Sequence, residues 1–193
     1  MNKKEKILKS ARKIFAHTGY HEAGIDEIAD LAGVGKGTVY LYFKNKEELF
    51  TSVIFKMLER TGSWVDEIRE MDVGVWEKVE AMITTALDYF SRNREVFNIL
   101  QGETPLQTVA PGGEMAGKIK DIVKERMEKL AGFFAEHRRE ANLSDEFTDR
   151  EAAFLCLNVV EGIVRRFLEG WEKDTRKNAK LAVKFLKNGL TKH

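Results

Sequence analysis

Apolar residues return every three or four positions in one segment of this chain after another, and that spacing calls for helices buried on one face. Ile7, Leu8, Ala11, Ile14 and Phe15 form the first stripe, with lysines and Arg12 between them. Trp76, Val79, Met82, Ile83, Ala86, Leu87 and Phe90 form a second, and Ile119, Ile122, Val123, Met127, Leu130, Phe133 and Phe134 a third. Only two prolines occur in 193 residues, so long stretches lack the residue that breaks a helix. With 43% apolar residues there is enough material for real cores, and the expected fold class is all-α.

The run from Gly33 to Phe50, GVGKGTVYLYFKNKEELF, is the most informative stretch. Before it, Ile25, Ile28, Ala29, Leu31 and Ala32 make a short amphipathic helix whose first turn carries Asp26 and Glu27, where carboxylates meet the positive end of the helix dipole. Gly33-Val34-Gly35 is a tight turn, and a second short helix follows from about Lys36 to Phe43. Val39 and Phe43, four apart, face the core, whereas Gly37, Thr38, Tyr40 and Leu41 project away. Thr38 and Tyr40 offer hydroxyls to bases or phosphates, Lys36 supplies charge, and Gly37 lets a backbone approach a groove closely. Tyr42 admits both an outward and a core reading. Asn45 then opens a longer helix with Glu48 three residues on, a capping-box spacing, and Lys46 in its first turn stands where a phosphate anchor belongs.

The order Gly19-Tyr20, Ile28-Ala29, Ala32-Gly33-Val34, Lys36-Gly37-Thr38, Tyr40, Tyr42-Phe43, Lys46-Glu47 resembles the DNA-binding domain of the TetR family over roughly the first fifty residues. The resemblance implies that Lys36, Gly37, Thr38, Tyr40 and Tyr42 face an operator and that Lys46 grips backbone phosphate. It also implies a three-helix bundle with a helix-turn-helix over residues 1–46, and a larger helical ligand-binding and dimerisation domain over residues 47–193. Two positions depart from the family pattern. A hydroxyl pair before the second helix and a serine opening the third are replaced by Ala23-Gly24 and Gly35, which leaves Lys3, Lys4 and Lys46 to carry more of the phosphate contact.

Charge follows the same division. Net charge is +1, but the first 46 residues hold nine Lys and Arg against five Asp and Glu, and the remainder 23 against 26. The basic end is the candidate for phosphate contact, although a solvated lysine-bearing helix has the same composition.

Beyond Phe50 the helical pattern runs on through Val53 and Met57 toward Trp64 and Ile68, as a rigid connector would. Both prolines and Gly112-Gly113 fall between Glu103 and Gly113, a long loop that suits a mobile lid or a plain surface connection. Thr148 with Glu151 begins a helix from Ala152 to Trp171 that is apolar nearly all round, so one side is expected to meet its own core and another a partner subunit. A last helix follows from about Thr175 to Asn188. The expected dimer contacts are Val160, Val164, Ala179, Ala182, Val183 and Leu186, on the pair of helices that resembles the family's four-helix dimer bundle. Asn158, Glu161, Gly162 and Arg165 form a narrow polar stripe that either bonds across that interface or lines a pocket. Trp64, Phe90, Phe97, Phe133 and Phe134, with Asn158 and Glu161, are candidate linings of an apolar ligand pocket; core packing is the competing role for the aromatics.

His17, His21, His137 and His193 lie at no metal-ligand spacing, Cys156 has no partner cysteine, and no phosphate loop or nucleophile motif occurs. A metal, a cofactor and an enzymatic site are not expected. No apolar run has the length of a membrane span, which makes a reducing cytoplasm the expected location. The expected function is a homodimeric repressor of a palindromic double-stranded operator, released by a small apolar effector. The competing class is a helical ligand-binding or protein-interaction module that no longer reads DNA.

Overall fold

The computed structural model describes residues 2–94, 97, 99 and 114–192, the side chains of residues 58, 60–62, 114–116 and 119 excepted. Its helices are α1 (Lys3–Glu22), α2 (Ile25–Ala32), α3 (Lys36–Tyr42), α4 (Lys46–Arg69), α5 (Val75–Arg92), α6 (Glu114–His137), α7 (Asp149–Leu168) and α8 (Thr175–Leu190). Among the described residues there is no strand, only an antiparallel bridge between Leu143 and Thr191. The loop expected at 103–113, a mobile lid or a plain surface connection, lies outside the described residues.

The chain divides into two compact units, Met1–Glu59 with Asn93–Ile122, and Arg60–Arg92 with Val123–His193. Residue 46, the end of the expected first domain, lies within the first unit. The reason is packing: the start of α4 buries Leu49, Phe50, Val53 and Ile54, and Phe50 meets Phe15 of α1 edge-on at 4.9 Å.

In the first unit α1, α2 and α3 pack together around Ile7, Ala11, Ile14, Phe15, Ile28, Ala29 and Val39. A capping box starts α1: Glu5 N–H donates to Asn2 Oδ1 at 2.9 Å, and Asn2 N–H donates to Glu5 Oε2 at 3.1 Å. Gly19, a residue type that often ends a helix, lies at positive φ (78°) inside α1, and helical structure resumes to Glu22. A cap and a kink use the same conformational freedom of glycine, and the residues after it decide between them.

In the second unit α5, α7 and α8 pack on one another. Ala152, Ala153, Val164, Ala179, Ala182 and Leu186 are buried there, as are Val79, Ile83 and Leu87 of α5. Two turns of polar chemistry organise the connections. Arg138 donates to Asp149 Oδ1 (2.7 Å), Ser144 O (2.9 Å) and Phe147 O (2.8 Å), holding the link between α6 and α7. Buried Asn178 accepts from Arg166 and donates to Glu172 O and Asp174 O, which fixes the turn into α8. Thr148 and Glu151 form the expected capping box at the start of α7. The last helix continues through Gly189 to Leu190, further than expected, because Leu190 is buried and its carbonyl accepts from Ser144 N–H at 2.7 Å.

Lys78 is a buried cation of this unit. Its Nζ donates to Arg69 O at 2.8 Å and lies 3.3 Å from His137 Nε2, while His137 Nδ1 lies 2.9 Å from Phe133 O. A carbonyl can only accept, so the imidazole carries its proton on Nδ1 and presents Nε2 to the ammonium. Cys156 is wholly enclosed, and burial pushes its thiol pKa up to about 12. Thiolate is therefore scarce at neutral pH. Alkylation of the native protein at pH 8 is expected to leave Cys156 unmodified, with rapid labelling only in denaturant; fast native labelling, read by mass, contradicts this burial.

Candidate nucleic-acid interface

The turn between α2 and α3 follows from one glycine. Gly33 is left-handed (φ 66°), its N–H donates to Asp30 O, and Val34 N–H donates to Ala29 O at 3.0 Å, a Schellman closure of α2. The chain then enters α3 through Gly35, whose carbonyl accepts from Thr38 N–H at 2.8 Å. Neither Gly24 nor Gly35 gives its helix a side-chain cap, so the hydroxyl contacts that the resemblance would have supplied are absent at both positions.

The two edges of α3 separate sharply. Val39 is 1% exposed and Phe43, its C-cap, 2%, whereas Tyr40 and Tyr42 are exposed and Leu41 is 84% exposed. Gly37 is exposed and Thr38 half-buried. Gly37, Thr38, Tyr40 and Tyr42 thus lie on or beside one outward edge. Leu41 belongs with them and was not singled out as a contact residue. Its signal was available, since it lies four residues beyond Gly37, and a leucine left in solvent on such an edge suits a thymine methyl.

Both expected cations have partners inside the chain. Lys36 Nζ donates to Asp26 Oδ2 at 2.8 Å, a bond that, with the charge of Asp26, raises the lysine pKa. Lys46 is half-buried: its Nζ donates to His21 O at 2.8 Å and sits 4.9 Å from the centre of the Tyr20 ring. Desolvation lowers its pKa, with Glu22 opposing. Tyr20 in turn packs 5.0 Å from Phe50, so Lys46 closes the end of α1 onto the start of α4. Its ammonium points at a carbonyl of its own chain, which makes it a clasp in this conformation. Lys4 Nζ lies 5.8 Å from the Phe43 ring. At the start of α4 Asn45 Oδ1 accepts from Glu48 N–H as expected, but the Glu48 carboxylate accepts from Lys44 N–H instead of returning to Asn45.

The remaining candidates are scattered. Phe133 and Phe134 are fully buried, with ring centres 5.5 Å apart; Trp64 and Phe90 are half-buried, linked through Tyr89; Phe97 is buried in the other unit. Asn158 and Glu161 are exposed on α7, where Asn158 donates back to Phe154 O and Glu161 faces Arg165, so neither is enclosed as a pocket anchor would be. A cleft of about 620 Å³ in the first unit is bordered by Leu8, Thr51, Phe55 and Lys56, and none of the expected pocket residues lines it. The dimer candidates need correction by face. Val164, Ala179, Ala182 and Leu186 are buried within their own unit and cannot also meet a partner's surface; Val160 and Val183 are half-buried. The apolar side chains left in solvent on these helices are Phe154, Leu155, Leu181 and Phe185.

A short helix, a left-handed glycine turn and a second short helix with one buried and one exposed edge define a helix-turn-helix protein. Residues 7–53 match the model of the tetR family of bacterial regulatory proteins. The uncharacterized HTH-type transcriptional regulator YhgD of Bacillus subtilis is 34% identical over 110 residues, 57% of this chain and 58% of that protein. The fatty acid metabolism regulator protein of the same organism is 29% identical over 173 residues, 86% of this chain and 84% of that one. A crystal structure of the transcriptional regulator FadR from Bacillus subtilis in complex with stearoyl-CoA has a TM-score of 0.81 at 24% identity, covering 96% of this chain and 98% of that one; the likeness is one of fold.

A Cβ placed on Gly37 meets nothing within 4 Å beyond its chain neighbours and the backbone of its own helix. Gly37→Ala is therefore expected to leave the thermal midpoint unchanged or raise it, by up to about 1 kcal/mol of helix propensity. A lowered midpoint in calorimetry means that glycine is needed by the fold itself.

Proposed function

We propose that this protein is a transcriptional repressor that binds a palindromic operator as a homodimer and leaves it when a small apolar effector binds. The observation that carries the DNA reading is the division of α3: Val39 and Phe43 anchor one edge, and the opposite edge offers Thr38, Tyr40, Leu41 and Tyr42 around the bare backbone of Gly37. An α-helix of this width enters a major groove, and two copies on a two-fold axis would read half-sites about 34–36 Å apart.

The proposed partner surface is the outer face of α7 and α8. Phe154 is 57% and Phe185 67% exposed, beside Leu155 and Leu181, more apolar surface than a lone chain ordinarily leaves in water. A second copy of the same face covers it by two-fold symmetry, and the Asn158, Glu161 and Arg165 stripe would supply polar contacts within it. For the effector, the relative named for fatty acid metabolism and the stearoyl-CoA held by the FadR structure make long-chain acyl compounds the class to try. Release requires that the effector prefer a conformer that binds DNA poorly, and DNA must then weaken effector binding by the same factor.

The second reading, a helical module that does not contact DNA, draws on one observation: Lys36 and Lys46 both spend their charge on internal partners. Salt separates the two, because operator binding must weaken steeply as salt rises.

Selection of DNA fragments by the purified protein is expected to return a palindrome. Tyr40→Ala should weaken binding to it by about tenfold, the scale of one lost base contact of ~1–3 kcal/mol. Selection that returns no common sequence, or full affinity in Tyr40→Ala, overturns the reading head assigned here. Phe185→Glu is expected to turn a dimer in analytical ultracentrifugation into a folded monomer; a dimer that persists rules out this face.

A further inference from the structure

Lys36 opens α3, and its ammonium is not free to seek phosphate. It is bonded at 2.8 Å to Asp26 in the first turn of α2, and both side chains are more than half exposed, 53% and 71%. Tyr40 lies one turn further along α3 and is exposed, so the pair stands at the start of the helix that carries the outward edge. An exposed ion pair of this kind adds little to stability, and the fold does not need it to hold α2 against α3, where Ile28, Ala29 and Val39 are already buried. It therefore calls for another explanation.

Binding of a lysine to random DNA draws its free energy from the counterion released by the phosphate. A lysine that already carries a tethered carboxylate gains much less from the exchange. Moving Lys36 to a phosphate breaks its bond to Asp26 and leaves that carboxylate unpaired close to a negative duplex. A base edge with an acceptor next to an amino donor is different, because it satisfies both members together. A guanine O6 or N7 can accept from Lys36 while the amino group of the paired cytosine donates to Asp26.

We infer that Asp26 is a specificity-determining residue that acts through Lys36, withholding its charge from phosphates in general and releasing it at a base edge that offers acceptor and donor side by side. This rests on the DNA-binding reading above. The two residues work as one donor-acceptor unit, and Asp26 lowers affinity for random duplex more than for the operator.

The test uses the full-length protein with Asp26→Asn, Asp26→Glu, Lys36→Met and the Asp26→Asn/Lys36→Met double variant. Each is titrated by fluorescence anisotropy against the selected operator duplex and a scrambled duplex between about 50 and 200 mM salt. On scrambled duplex Asp26→Asn should steepen the log–log salt slope by about 0.9, one added phosphate contact, which is about threefold more affinity lost across that range. The operator-to-scrambled affinity ratio should fall, Asp26→Glu should behave as wild type, and Asp26→Asn should have no effect once Lys36 is Met. An unchanged slope and ratio in Asp26→Asn overturns the inference. So does an equal gain in the Lys36→Met background, which makes Asp26 a plain repulsive charge, and so does an equal loss on both duplexes with earlier melting, which makes it a helix stabiliser alone. These outcomes leave the DNA-binding reading standing, whereas a wild-type protein that retains neither duplex at low salt sinks both together.

Discussion

The outward chemistry of this protein depends on two inward side chains, Val39 and Phe43. The helix they anchor, Lys36–Tyr42, has seven residues, too few to hold together in water without tertiary support. Burying the pair contributes about 1.5–3 kcal/mol each, enough to fix both the existence of α3 and its rotation about its own axis. Rotation is the important quantity. Once it is set, Gly37, Tyr40 and Leu41 have no choice but to face outward, and the apolar core of the first unit has become a device for aiming polar groups.

The cations obey a different logic. A lysine near a helix N-terminus is readily taken for a phosphate anchor, since free amides and a positive charge favour anions. Here a carboxylate occupies Lys36, and a carbonyl with an aromatic face occupies Lys46. Neither arrangement neutralises the head as a whole, whose first 46 residues still carry a formal excess of positive charge. They localise it, so that the charges nearest the contact edge are conditional and those of the α1 terminus, such as Lys3 and Lys4, stand exposed.

Local features were legible in the sequence and tertiary choices were not. The left-handed Gly33, the buried Val39 and the Thr148–Glu151 capping box are decided by neighbours within a few residues, so spacing alone reveals them. The pairing of Lys36 with Asp26 joins residues ten apart across a turn, and Lys46 reaches His21 from twenty-five residues away, distances at which pattern says nothing. The inner face of α7 and α8 was misassigned for a related reason. A helix apolar nearly all round carries no direction, and small alanines at 179 and 182 suit close packing against any neighbour. They pack inside their own unit, which leaves the larger Phe154 and Phe185 outside.

That exchange of roles bears on how the second unit can be built at all. Alanines and Val164 let α7 and α8 approach α5 closely, so the three helices complete a core without the bulky aromatics. Phe154 and Phe185 cost the folded chain apolar exposure that no internal contact relieves, and a sequence that placed them there for stability alone would be hard to account for. Exposed rings on adjacent helices make sense when the buried state they serve is reached by association. In the proposed dimer the core of one chain and the interface between two would be drawn from the same pair of helices, with small residues turned to the first and large ones to the second.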